Sequence, residues 1–154
     1  MIDVGEQAPD FTLPDQAGRP VALGDLRGRR VVLYFYPKAD TPGCTTQACG
    51  IRDRGGEYGQ AGATVIGVSP DEPSELRKFA DKYRLDYALL GDPDHSVAEA
   101  YGVWTEKRNY GKTYMGVQRA TFIIDARGTV AHVIPKVSPK THDDEVLAAL
   151  GAAA

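Results

Sequence analysis

The run Val31–Tyr36, VVLYFY, constrains the fold of this chain more than any other segment. These consecutive β-branched, aliphatic and aromatic residues offer no polar face, so a strand made from them must be covered on both sides, as the central strands of layered α/β folds are. The run stops at Pro37, which has no amide hydrogen to give to a sheet ladder. The loop KADTPG follows, and Thr41 and Pro42 supply N-cap and first-position signals for a helix from Pro42 through at least Arg52. A buried strand thus hands the chain directly to a helix whose first turn contains Cys44.

The rest of the sequence fits the same plan. A second buried strand is expected at Thr64–Val68, and SPDEPSELRKFADKYRL reads as an amphipathic helix with Leu76, Phe79 and Tyr83 on one face. Tyr87–Leu90 reads as a strand and HSVAEAYGV as a short helix. Two short strands, Phe11–Leu13 and Val21–Leu23, flank the turn signal DQAGRP. ATFIID and VAHVIPKV form a hairpin around Asp125–Gly128, and THDDEVLAALGAAA closes the chain as a helix capped by Thr141. Its acidic pair, Asp143 and Asp144, suits the positive end of that helix and is assigned no chemistry. The expectation is an α/β fold with a central mixed sheet flanked by helices, formed as one domain over residues 1–154.

Composition narrows the function. Hydrophobic residues make up 42% and charged residues 25%, an ordinary globular balance that needs no disulfide scaffold. Lys and Arg number 18 against 21 Asp and Glu, a formal charge of −3, so there is no basic field for nucleic acid or an anionic membrane surface. The start, MIDVGEQAPDFTLPD, has no apolar run of signal-peptide length, and no later window approaches a membrane span. A cytoplasmic location is expected. In a reducing cytosol two nearby cysteines point to catalysis or metal binding rather than to a standing bridge.

Those cysteines are Cys44 and Cys49. At the first turn of a helix, unpaired amides and the positive end of the helix dipole favour an anion, and hence the reactive thiolate of Cys44. A nearby cation would add to this, and Lys38, Arg52 and Arg119 are the candidates by sequence. Cys49 lies five residues on. Positions i and i+5 of a helix have Cα atoms roughly 8.7 Å apart, whereas a disulfide needs about 4.4 to 6.8 Å. A bridge between the two therefore requires the helix to unwind, and Gly50, Gly55, Gly56 and Gly59 weaken the segment that follows Cys49.

The segment FYPKADTPGCTTQACGIRD closely resembles the active site of the peroxiredoxins, in particular the atypical two-cysteine subfamily called bacterioferritin comigratory protein or PrxQ. Pro37, Thr41 and Cys44 match the family pattern Pro-x-x-x-Thr-x-x-Cys, and Cys49 matches the subfamily's resolving position. The likeness continues through APDFTLPDQAG, YGVWTEKRNYGKTYMG and QRATFIID, over nearly the whole chain. It implies a thioredoxin-like fold and a thiol peroxidase acting on hydrogen peroxide and organic hydroperoxides. By the same resemblance Cys44 is the peroxidatic cysteine, Thr41 bonds the thiolate and orients the peroxide, Arg119 stabilises the thiolate and polarises the leaving oxygen, and Pro37 shields the pocket. Cys49 then condenses with the sulfenic acid, and thioredoxin, or a glutaredoxin in its place, reduces the disulfide. No cofactor or metal is implied, and a monomer, at most a weak dimer, is the expected state.

Blander readings exist for each feature. Two buried inert thiols would explain the cysteines without chemistry, and a zinc site would need four ligands, for which His95, His132 and His142 have no recognisable spacing. The three histidines are expected at the surface or in structural roles, with His142 solvated. Trp104 and the tyrosines at 101, 110 and 114 are expected to pack rather than to bind a partner. A thioredoxin-like disulfide oxidoreductase is the alternative enzyme, yet such proteins carry Cys-x-x-Cys and here Thr41 stands three before Cys44. A non-catalytic binding or chaperone-like protein would have no use for Pro37, Thr41, Cys44 and Arg119 together.

Overall fold

The computed structural model describes residues 1–152. In chain order it contains β1 (Thr12–Pro14), β2 (Pro20–Ala22), a 3-10 turn at Leu23–Leu26, β3 (Arg30–Phe35), α1 (Pro42–Asp53), α2 (Gly55–Gln60), β4 (Ala63–Ser69) and α3 (Pro73–Tyr83). It continues with β5 (Ala88–Gly91), α4 (Ser96–Ala100), β6 (Trp104–Asn109), β7 (Lys112–Val117), β8 (Ala120–Ile124), β9 (Val130–Ile134) and α5 (His142–Ala152).

Five strands form the central sheet in the order β5-β4-β3-β8-β9. β3 pairs in parallel with β4, and β4 with β5, through βα crossovers; β8 runs antiparallel to β3 and β9 antiparallel to β8. The fold is the expected mixed α/β architecture. β3 is buried on both faces as its composition demands: Val31, Leu33 and Phe35 enter one core, with Phe122, Val97 and Tyr101, while Val32, Tyr34 and Tyr36 enter the other. Helices α1, α3 and α5 cover the second face through Cys44, Ala48, Ile51, Leu76, Phe79, Val146 and Leu150.

One pairing matters most for function. Because β8 is antiparallel to β3, Phe35 at the end of β3 lies opposite Ala120 at the start of β8. Arg119 is therefore delivered to the end of the sheet from which α1 departs.

Several boundaries differ from expectation. β1 and β2 are offset by one residue from Phe11–Leu13 and Val21–Leu23: Leu23 N–H still bonds Phe11 O at 3.0 Å, but Leu23 already begins the 3-10 turn. β5 begins at Ala88, since Tyr87 turns its hydroxyl towards Tyr34 and Ala48. The glycine-rich stretch after Arg54 is itself a helical turn, α2, anchored by buried Tyr58. The β6–β7 hairpin was not expected at all; Tyr110 and Gly111, with φ of 52° and 75°, form its two-residue turn.

His142 is the clearest correction. It is not solvated but 1% exposed, with Nε2 2.8 Å from Thr121 Oγ1, because the start of α5 packs against β8. The aromatic residues divide: Tyr101 is fully buried and Trp104 stacks on His95 at 3.9 Å, whereas Tyr110 is 97% exposed and Tyr114 about half exposed.

Candidate active site

The loop between β3 and α1 is tied down before the helix starts. Asp71 accepts hydrogen bonds from Ala39 N–H at 2.8 Å and from Ser69 Oγ at 2.7 Å. Asp40 sits in the left-handed region at φ 61°, and its carboxylate is held by Lys82 Nζ and the Tyr83 hydroxyl, each at 2.9 Å. Both of those partners lie at the end of α3. Pro37, half-buried, leads this loop.

Thr41 has the extended backbone of an N-cap, φ −90° and ψ 157°, and Pro42 is the first helical residue. Its side chain does not cap the helix; the hydroxyl donates instead to Lys38 O at 2.8 Å. With its proton committed there, the Thr41 oxygen is left as an acceptor. Cys44 lies in the first turn of α1 and is 2% exposed.

Of the three candidate cations only Arg119 reaches Cys44. Its Nη2 donates to Cys44 Sγ at 3.1 Å and its Nη1 to Gln47 Oε1 at 2.9 Å. Arg52 is turned the other way, donating to Tyr83 O at 2.6 Å and to Asp53 at 2.8 Å, within electrostatic reach of Cys49. Lys38 is exposed and supplies its carbonyl to Thr41.

Three residues that the sequence reading passed over complete the site. Gln47, 1% exposed, fixes the second guanidinium nitrogen. Gly43 makes room for the first, since a β-carbon there would lie 3.0 Å from Arg119 Nη2. Lys107 on β6 brings a second positive charge near the thiol; burial and the Arg119 charge hold its ammonium below its ordinary pKa, with Cys44 acting the opposite way. The opposite wall is aromatic: Tyr34 and Tyr36 stack with centroids 5.3 Å apart, and burial raises both hydroxyls well above their ordinary range.

Cys49 lies on the same unbroken helix, partly buried, and both thiols are free. At helical spacing the Cα atoms stand roughly 8.7 Å apart, beyond the reach of a disulfide. Among the described residues no three His, Cys, Asp or Glu side chains converge as a metal-binding group, and no helix is long and apolar enough to cross a membrane.

A buried thiol at a helix start, bonded by a fixed guanidinium, is an arrangement for a nucleophile whose leaving group gains negative charge. Known proteins share this build. The AhpC/TSA family model matches residues 4–133. Peroxiredoxin Bcp of Escherichia coli K12 is 51% identical over 146 residues, covering 95% of this chain and 94% of that protein. A putative peroxiredoxin bcp of Coxiella burnetii is 47% identical over 149 residues, covering 97% and 99%. Among solved structures, peroxidoxin BcpB of Mycobacterium tuberculosis superposes with a TM-score of 0.88 at 42% identity over 99% of this chain and 98% of that one. The bacterioferritin comigratory protein of Xanthomonas campestris, described for its alkyl peroxide reduction activity, gives 0.91 at 35% identity over 98% and 99%. With this thiol, this guanidinium and likeness along nearly its whole length, the chain belongs to the AhpC/TSA family, among its Bcp and PrxQ peroxiredoxins.

Proposed function

We propose that this thiol-dependent peroxidase carries out its peroxide chemistry at Cys44 and resolves it through Cys49. The observation that carries the assignment is the 3.1 Å bond from Arg119 to a buried sulfur in the first turn of a helix. The Cys44 thiolate attacks one oxygen of a hydroperoxide; the S–O bond forms as the O–O bond breaks, giving the sulfenic acid, and the departing oxygen anion takes up a proton to leave as water or an alcohol. Arg119, held by Gln47, faces both the attacking sulfur and the charge that develops on the leaving oxygen. Thr41, its proton given to Lys38 O, accepts the hydrogen bond of the hydroperoxide O–H, a role opposite in direction to donation towards the thiolate. Pro37 closes the approach to the sulfur from the solvent side.

Cys49 then condenses with the sulfenic acid after α1 unwinds, and a thioredoxin-type dithiol reduces the disulfide. The disulfide oxidoreductase alternative gains nothing here, because Thr41 stands where a Cys-x-x-Cys motif would need a second cysteine three residues before Cys44. The chain is proposed to act as one domain, as a monomer or at most a weak dimer, in the cytoplasm.

Hydrogen peroxide consumption coupled to thioredoxin and its reductase tests this. Cys44→Ser abolishes turnover, and Cys49→Ser still forms a sulfenic acid but no longer recycles through thioredoxin. Full turnover by Cys44→Ser overturns the assignment.

A further inference from the structure

Resolution requires α1 to open, and the contacts that hold it closed beyond Cys49 lie away from the sulfur of Cys44. Gly50, the next residue, has no side chain, and Asp143 from the first turn of α5 occupies the space: a β-carbon on Gly50 would lie 2.5 Å from Asp143 Oδ2. The other carboxylate oxygen accepts a hydrogen bond from the hydroxyl of Tyr58, which is 2% exposed on α2. Burial pushes both the Asp143 carboxyl and the Tyr58 hydroxyl up, so each is the other's compensation for lost water. Beside them Arg54, which joins α1 to α2, donates to Asp144 at 2.6 Å and to Glu57 at 2.5 Å.

These contacts fall on residues 50 to 58 and on α5, whereas Arg119 holds residues 44 and 47. The two ends of α1 are therefore fastened independently. We propose that the Tyr58–Asp143 pair, seated on the bare backbone of Gly50, is the latch that sets how readily Cys49 is released to reach Cys44. Neither residue touches sulfur, so both are positioning residues, and the inference rests on the peroxidatic and resolving roles proposed above.

In the step the latch controls, the Cys49 thiolate attacks the sulfur of Cys44–SOH. The S–S bond forms, the S–O bond breaks, and hydroxide leaves and takes a proton to become water. The competing step consumes a second hydroperoxide, which transfers an oxygen to Cys44–SOH, giving the sulfinic acid and an alcohol or water. The stability of the latch thus divides the sulfenic acid between recycling and inactivation.

The test compares the native protein with Tyr58→Phe, Asp143→Ala and the double variant, each mixed with one equivalent of hydrogen peroxide. Sulfenic acid formation, trapped with dimedone in a Cys49→Ser background, is unchanged in every variant. Disulfide formation, followed by loss of both thiols in quenched samples, speeds up about fivefold in either single variant, the scale of one lost hydrogen bond. The double variant gains no more than either single change. The peroxide concentration that half-inactivates the enzyme during turnover rises in parallel. A native disulfide rate in Tyr58→Phe overturns the latch, as does a variant that slows sulfenic acid formation along with everything else. Absence of sulfenic acid in the Cys49→Ser protein itself overturns the Cys44 assignment instead.

Discussion

Arg119 bridges two partners with two nitrogens, Cys44 Sγ at 3.1 Å and Gln47 Oε1 at 2.9 Å, and a planar fork is the only side chain that spans both from one fixed position. Lysine keeps the charge and loses the fork. Arg119→Lys is therefore expected to slow sulfenic acid formation about 100-fold, on the scale of losing one preorganised donor, as measured by rapid mixing with hydrogen peroxide. A rate within about threefold of native would show that the charge alone suffices, against the donor geometry invoked here. The chemistry at this scale was unevenly legible in the sequence. Pro37, Thr41, Cys44 and Cys49 fall within one segment, and their spacing carries the reading. Arg119 was one of three candidate cations, separated from the others only by resemblance, because the pairing that places it is 75 residues away from Cys44 in the chain. Gln47, Gly43 and Lys107 gave no signal: an amide, a missing side chain and a partly exposed lysine acquire meaning only once β6, β8 and α1 meet.

At the scale of elements, α1 carries opposing requirements. It must be formed for Arg119 to address Cys44, and it must open for Cys49 to act. Amide exchange from Cys44 to Arg52 is expected to be protected in the reduced protein and fast in the disulfide form; equal protection in both would contradict unwinding. Gly43 shows the same conflict within one residue. Gly43→Ala removes a poor helix former, worth about 1 kcal/mol of helix stability, yet its β-carbon crowds Arg119 Nη2 at 3.0 Å. The expected outcome is a higher melting temperature with sulfenic acid formation slowed about tenfold by the displaced guanidinium. Thermal unfolding and rapid-mixing kinetics on one preparation check both halves, and unchanged kinetics would mean that the guanidinium yields without cost. The elements with strong apolar signals, β3, β4, α3 and β8, were read directly from the sequence. The β6–β7 hairpin was not, because strands such as Lys112–Met115 expose nearly every side chain and leave no hydrophobic period to detect. Its turn residues, Tyr110 and Gly111, were the available signal.

For the molecule as a whole, two cores on opposite faces of one sheet leave few polar groups inside, and His142 is one whose burial makes stability fall in acid. Burial, reinforced by the nearby Arg119 charge, pulls its imidazole down to about 4, against about 6.5 in an unfolded chain. The folded protein therefore holds His142 neutral where the unfolded chain protonates it. Proton uptake on unfolding makes stability fall as pH drops through this window, being fully present above the unfolded value and lost towards the folded one. The contribution is about 3 kcal/mol between roughly pH 7.5 and pH 4. Asp143 acts in the opposite sense, since its raised carboxyl pKa means that taking up a proton in acid favours the folded state. Denaturant unfolding at the two pH values isolates the histidine when native protein is compared with His142→Gln, whose amide keeps a partner for Thr121 Oγ1 at the position of Nε2. The variant is expected to lose about 3 kcal/mol less than native on acidification. An identical loss in both proteins would place the acid sensitivity elsewhere in the fold.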